Sequence, residues 1–272
     1  MLNFFFKLLG LWVLLIPLPA FAHEGIHEQL QQADQKIEES PDDVMLYWQR
    51  GITHSQAGNQ DLAIADYERA AALGDPALVA YDAGISYYLK GEYAQDLHYF
   101  DMYLQRSPEH APSYEYRARV YRDSGQLALA VADMRKYFEL AEQPNPGNYI
   151  AAADMLLALN PPATEQALAI LDGGLEQLGI VPQIQRYAIK IETESGNYEA
   201  AIVRLESLAS VLHTSVQWQV DMAELLVLAK RDSEAKPYLI AAKERLNTLR
   251  KTPARLVLLS RIDAIETSLP SE

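Results

Sequence analysis

Residues 84–93 read GISYYLKGEY, with Gly84 and Tyr87 in the first half and Gly91-Glu92-Tyr93 at the end; Phe100 and Pro108 follow. This stretch decides the fold because it recurs along the chain. Gly91 belongs to a ladder of Gly58, Gly91, Gly125, Asn160 and Gly196, with steps of 33, 34, 35 and 36 residues. Gly84 belongs to a second ladder, Gly51, Gly84, Ala118, Ala153, Ile189 and Ala223. A third runs Ala63, Asp96, Ala130, Ala167, Ala201 and Ala235, with steps of 33, 34, 37, 34 and 34. Self-similarity at a fixed period of roughly 20–50 residues marks a repeat array. The first ladder falls between helical stretches, where a residue tolerating a left-handed backbone ends a helix. Small residues in the other two let neighbouring helices approach closely.

The pattern resembles the tetratricopeptide repeat (TPR), a helix–turn–helix unit with the signature W-x2-L-G-x2-Y…A-x3-F…P. The second unit shows it in Gly84-x2-Tyr87, Gly91-Glu92-Tyr93, Phe100 and Pro108. The first has Tyr47, Gly51, Gly58, Ala63 and Tyr67, closed by Asp75-Pro76. The third has Tyr114, Ala118, Tyr121, Gly125, Ala130 and Pro144. The fourth begins at Tyr149 and has a longer turn, Asn160-Pro161-Pro162-Ala163-Thr164. The fifth keeps Gly196-Asn197-Tyr198 and Ala201, and the sixth has Lys230-Arg231-Asp232 where the turn glycine belongs. The resemblance implies an all-α, right-handed superhelical solenoid of antiparallel helix pairs with one continuous core.

Six repeats are therefore expected over 44–248. Ile26, Leu30, Ala33 and Ile37 form an apolar stripe ended by Ser40-Pro41, which predicts an N-terminal capping helix within 23–43. Leu258, Ile262, Ile265 and Leu269 form another, a C-terminal cap within 249–272. End repeats expose a face that would otherwise pack on a neighbour, so such caps are needed.

Residues 1–22 read as a cleaved export signal. Lys7 precedes an apolar run from Leu8 to Ile16, then Pro17-Leu18-Pro19 and an Ala20-Phe21-Ala22 cleavage site. The run is about half the ~20 residues that span a bilayer, so the mature chain is expected to lack a transmembrane segment. The expected location is the bacterial periplasm.

Composition narrows the function. The 272 residues include no Cys, which rules out disulfides, thiolate metal sites and a cysteine nucleophile. A net charge of −14 argues against sequence-independent nucleic-acid binding, which needs cations against phosphates. Residues 23–111 hold 16 acidic and 5 basic side chains, whereas 230–261 hold 3 and 9. No Gly-rich phosphate loop or G-x-S-x-G turn occurs, and the carboxylates are spread along helices. The chain is expected not to be an enzyme.

The mature terminus would read His23-Glu24-Gly25-Ile26-His27, matching H-E-x-x-H. Directly on a cleavage site it lacks the surrounding wall of a peptidase. Two readings remain for His23 and His27: a copper or zinc site using the free α-amine and two imidazoles, or a solvated chain end. No other cofactor is expected.

The main expectation is a scaffold that binds a protein or peptide partner. In the TPR family the inner face of each repeat's first helix contacts extended peptides or partner helices. The phase of this sequence puts Trp48, Ile52, Tyr81, Ile85, Tyr88, Arg119, Arg122, Arg186 and Lys190 on that face. Trp, Tyr and Arg are enriched among interface hot spots. Tyr87, Tyr121 and Phe100 are expected to pack between helices instead. The family's Lys and Asn carboxylate clamp is absent from the first two units.

Overall fold

The computed structural model describes residues 18–269, with side chains from residue 25 onward. Among the described residues the chain is helical throughout, without strands. The helices are α1 (Leu18–Glu39), α2 (Val44–Gln56), α3 (Gln60–Leu73), α4 (Ala80–Lys90), α5 (Tyr93–Arg106), α6 (Ala111–Asp123) and α7 (Leu127–Leu140). They continue with α8 (Pro146–Leu157), α9 (Thr164–Leu178), α10 (Pro182–Glu194), α11 (Tyr198–Ser207) and α12 (Ala209–Leu212). The last three are α13 (Val216–Leu228), α14 (Asp232–Thr248) and α15 (Pro253–Ser268). The chain groups into two compact units, Met1–Val120 and Tyr121–Glu272, with the boundary inside α6.

In the first unit consecutive helices pack in sequence order: α1 on α2, α2 on α3, α3 on α4 and α4 on α5. The repeat ladders explain how. At the α4–α5 turn Gly91 adopts φ +77 and ends α4 in the left-handed region, where its N–H bonds back to the Tyr87 and Tyr88 carbonyls. A β-carbon would make that conformation costly for another residue. Gly51 serves a different need, because a Cβ there would lie 2.6 Å from the Tyr67 ring, which packs against the α2 backbone. Gly84 receives Phe100 in the same way, at 3.0 Å. Phe100 and Tyr87 are buried, as their place in the repeat requires.

Polar contacts repeat with the same period. The Tyr47 hydroxyl donates to the Pro41 carbonyl, and the Tyr114 hydroxyl to the Pro108 carbonyl, each at 3.0 Å. Arg50 on α2 donates to buried Asp66 on α3 at 2.6 and 2.9 Å and to Asp34 on α1 at 2.7 Å, tying the N-terminal helix to the first repeat. The stripe Ile26, Leu30, Ala33 and Ile37 is half-buried to buried on α1. Helix α1 starts at Leu18, within the segment expected to be cleaved, and the apolar run Leu8–Ile16 lies outside the described residues.

The second unit pairs α7 with α8, α8 with α9, α10 with α11 and α13 with α14, and α15 packs on α13 and α14. Ile262 and Ile265 on α15 join a core that includes Trp218, Met222 and Leu239. Two turns depart from the glycine ladder. Asn160 does not take a positive φ; the α8–α9 turn closes instead through the Ala163 N–H to the Leu156 carbonyl at 3.0 Å. Lys230 does take one, φ 60, at the degenerate α13–α14 turn. The third ladder is buried in full: Ala63, Ala130, Ala167, Ala201 and Ala235 are 0% exposed, and so is Asp96.

No helix among the described residues is long and apolar enough to cross a membrane.

Candidate functional site

Two faces collect most of the residues singled out from the sequence, one in each unit, while Arg122 and His27 join neither. In the first unit Trp48 and Ile52 lie one turn apart on α2, half-buried against the Ala63–Tyr67 core. The Trp48 indole Nε1–H donates to Asp82 Oδ2 on α4 at 2.8 Å. Burial pushes the Asp82 carboxyl up, and this hydrogen bond opposes the shift. Tyr81, Ile85 and Tyr88 occupy one face of α4 and all three are half-buried.

The tyrosines are not isolated. The Tyr81 ring centroid lies 4.8 Å from His110, 5.5 Å from Tyr103, and 6.1 Å from both Phe100 and Tyr116. Tyr88 lies 6.2 Å from Tyr116 and 6.4 Å from Tyr93. Four of these six pairs are edge-to-face, an arrangement that adds about 0.5–1.5 kcal/mol beyond the area buried. Burial raises the Tyr81 phenol well above its ordinary value and lowers the His110 imidazole, whose Nδ1 sits 2.9 Å from Ser113 Oγ. Arg119 stacks over Tyr116 with its guanidinium 5.2 Å from the ring centroid and pairs with Glu115 at 2.5 Å. The result is a half-exposed aromatic surface with carboxylates at its edges and an arginine that is already neutralised.

Tyr103, His110 and Tyr116 were not read as site residues from the sequence. Tyr116 could have been, since it stands 34 residues after Asp82, one repeat further on. Tyr103 and His110 could not, because they come from the second helix of the repeat and the turn after it.

In the second unit Arg122 is exposed and pairs with Asp123 at 2.7 Å. Arg186 and Lys190, one turn apart on α10, rim a pocket of about 340 Å³. Its walls are Ile189, Leu205, Leu212 and Trp218, with Gln217 and Asp221 on the α13 side. Elsewhere in this unit Arg204 donates to Asp172 at 2.5 and 3.0 Å and to buried Glu192 at 2.8 Å, which joins α9, α10 and α11 as Arg50 joins the first helices.

His27 is exposed on α1, and the His23 side chain lies outside the described residues. Among the described residues no three His, Asp or Glu side chains are grouped to hold a metal ion.

No family model and no curated protein matches the sequence. Solved structures do match the fold. The C-terminal part of a TPR repeat-containing protein from Cytophaga hutchinsonii aligns over 88% of this chain and 96% of its own, with a TM-score of 0.65 and 12% identity. YrrB, a TPR protein with an unusual peptide-binding site, aligns over 73% and 97%, with a TM-score of 0.53 and 21% identity. PilF of Pseudomonas aeruginosa aligns over 76% and 93%, with a TM-score of 0.53 and 17% identity. At these identities the likeness concerns the fold, and it makes this chain a helical repeat array of the TPR type.

Proposed function

We propose that the protein is a non-enzymatic scaffold, exported to the bacterial periplasm, that holds a segment of a partner protein along the first-helix faces of its repeats. The observation that carries this reading is the ring surface of Tyr81, Tyr88 and Tyr116. It is half-exposed, which an aromatic cluster serving the core alone would not need to be. Rigid aromatic surface is what interface anchors use. The peptide-binding site of YrrB, a protein with the same fold, is in keeping with it. Export rests on the order of Lys7, the apolar run and Ala20-Phe21-Ala22; intact mass of the exported protein should place its first residue at His23.

The test is quantitative capture of partners from an envelope extract by wild type and variants. Tyr88→Ala is the cleaner substitution, since Tyr81 touches four rings and its truncation also loosens the fold. Losing a central aromatic anchor costs about 2 kcal/mol or more, roughly a thirtyfold drop in affinity. Arg119→Ala should cost less, because Arg119 is already paired with Glu115. A Tyr88→Ala protein that melts like wild type and captures the same partners equally well would remove this face from the function.

A further inference from the structure

The pocket beside α10 and α13 says more about the partner. The inference rests on the scaffold reading in one respect, that the ligand is a polypeptide. One wall of the pocket is the Trp218 indole, fixed by its Nε1–H to the Leu205 carbonyl at 2.8 Å. Ile189, Leu205 and Leu212 complete an apolar lining that is part of, or packed on, the core of this unit. Lining made of core side chains is preformed, so little ordering cost falls on binding. About 340 Å³ is at the small end of ligand sites and suits one large apolar side chain.

Charge decides what stands beside that side chain. Asp221, which also lines the pocket, accepts from Arg261 at 2.9 Å and from Gln217 at 2.6 Å, and Arg261 is shared with Glu224. Arg186 is exposed, and among the described residues it has no carboxylate partner. Lys190 lies over the Tyr187 ring at 5.8 Å, and its carboxylate neighbour among the described residues is Glu194, 3.8 Å away with both side chains exposed, a contact that contributes little. Two cations one helical turn apart thus line the pocket, neither held by a close carboxylate among the described residues. Burying apolar surface next to them favours an anion and disfavours a lysine or arginine.

We infer that this pocket binds a partner segment in which a large apolar residue stands next to a glutamate or aspartate. The apolar side chain packs against Trp218, and the carboxylate takes a charge-assisted hydrogen bond from the Arg186 guanidinium with Lys190 alongside. The site is built entirely within the second unit.

The experiment uses the whole mature chain and a defined probe, acetyl-Gly-Phe-Glu-Gly-amide, with the Phe-Gln and Phe-Lys peptides as controls. Residues 23–272 contain two tryptophans, Trp48 and Trp218, so indole N–H signals in a nitrogen–proton spectrum report the two units separately. Trp48→Phe assigns them. The Phe-Glu peptide should shift the Trp218 signal saturably and leave Trp48 in place. The Phe-Gln peptide should bind at least roughly fivefold more weakly, and Arg186→Gln should erase that difference, the mark of a charge-assisted bond. Arg186→Lys should keep part of it. Equal binding of the Glu, Gln and Lys peptides overturns the inference, as does an unmoved Trp218 signal at about 10 mM peptide, where even millimolar binding would show. Failure here leaves the Tyr88 capture result standing, and failure of that capture leaves this titration unaffected.

Discussion

Replacing Asp96 with alanine should stabilise the protein at neutral pH, which few truncations of a buried side chain do. Asp96 on α5 is 0% exposed, and neither carboxylate oxygen has a hydrogen-bond partner among the described residues. The equivalent position in the other five repeats is alanine, also 0% exposed. Burial pushes the Asp96 carboxyl up from 3.8 to about 8. Folding at pH 7 therefore requires the carboxylate of the unfolded chain to take up a proton. With each pKa unit equal to about 1.4 kcal/mol, the ~3 units between the unfolded value and pH 7 cost about 4 kcal/mol. Alanine removes that cost and the unpaired hydroxyl, and loses some packing where the carboxyl stood. A net gain of about 2–4 kcal/mol at pH 7 is the expectation.

The sign distinguishes this from ordinary repacking. The folded state binds the proton more tightly than the unfolded state, so this group's contribution to stability is fully present below about pH 4. It is lost as pH rises through the folded value near 8. The advantage of Asp96→Ala should thus grow by about 1.4 kcal/mol per pH unit between pH 5 and 7 and level off above 8. Urea unfolding at pH 5, 6, 7 and 8, followed by Trp48 fluorescence in a Trp218→Phe background, measures it. Asp96→Asn should lose the pH dependence while keeping an unpaired polar group. A pH-independent difference between wild type and Asp96→Ala would refute the reasoning, because Asp96 would then be hydrated or paired when folded.

Other substitutions probe the scaffold. Gly51→Ala should destabilise the first unit by about 1–3 kcal/mol in urea melts, since its Cβ would meet the Tyr67 ring at 2.6 Å and the ring is too buried to yield. Lys230→Gly should stabilise the second unit by up to about 1 kcal/mol, read as a higher urea midpoint, by relieving a left-handed backbone in a residue with a side chain. Arg204→Met should cost about 3–5 kcal/mol, because it leaves buried Glu192 without its cation; calorimetry should show the loss in the second unit.

The repeats were legible in the sequence because their signals are local. A glycine that ends a helix and a small residue beneath an aromatic ring recur every 33 to 36 residues, and each acts through neighbours within the same helix pair. That determined the helical repeats, their order and the buried ladder positions, together with Phe100 and Tyr87. The exceptions were turns built differently: Asn160 lost its expected role to a backbone hydrogen bond from Ala163, and α12 inserts a short helix after Ser207 that no periodic signal announced. The sites were less legible. One residue of register rotates a side chain by about 100° around a helix, so spacing placed Tyr81 and Tyr88 together without revealing Tyr103, His110 and Tyr116 around them. The same holds for Arg186. Its charge was plain in the sequence, but not that it lines one pocket with Trp218 and with Asp221, which pairs with Arg261 40 residues further along the chain. Such pairings come from helix packing across repeats, which brings together side chains that no local periodicity links.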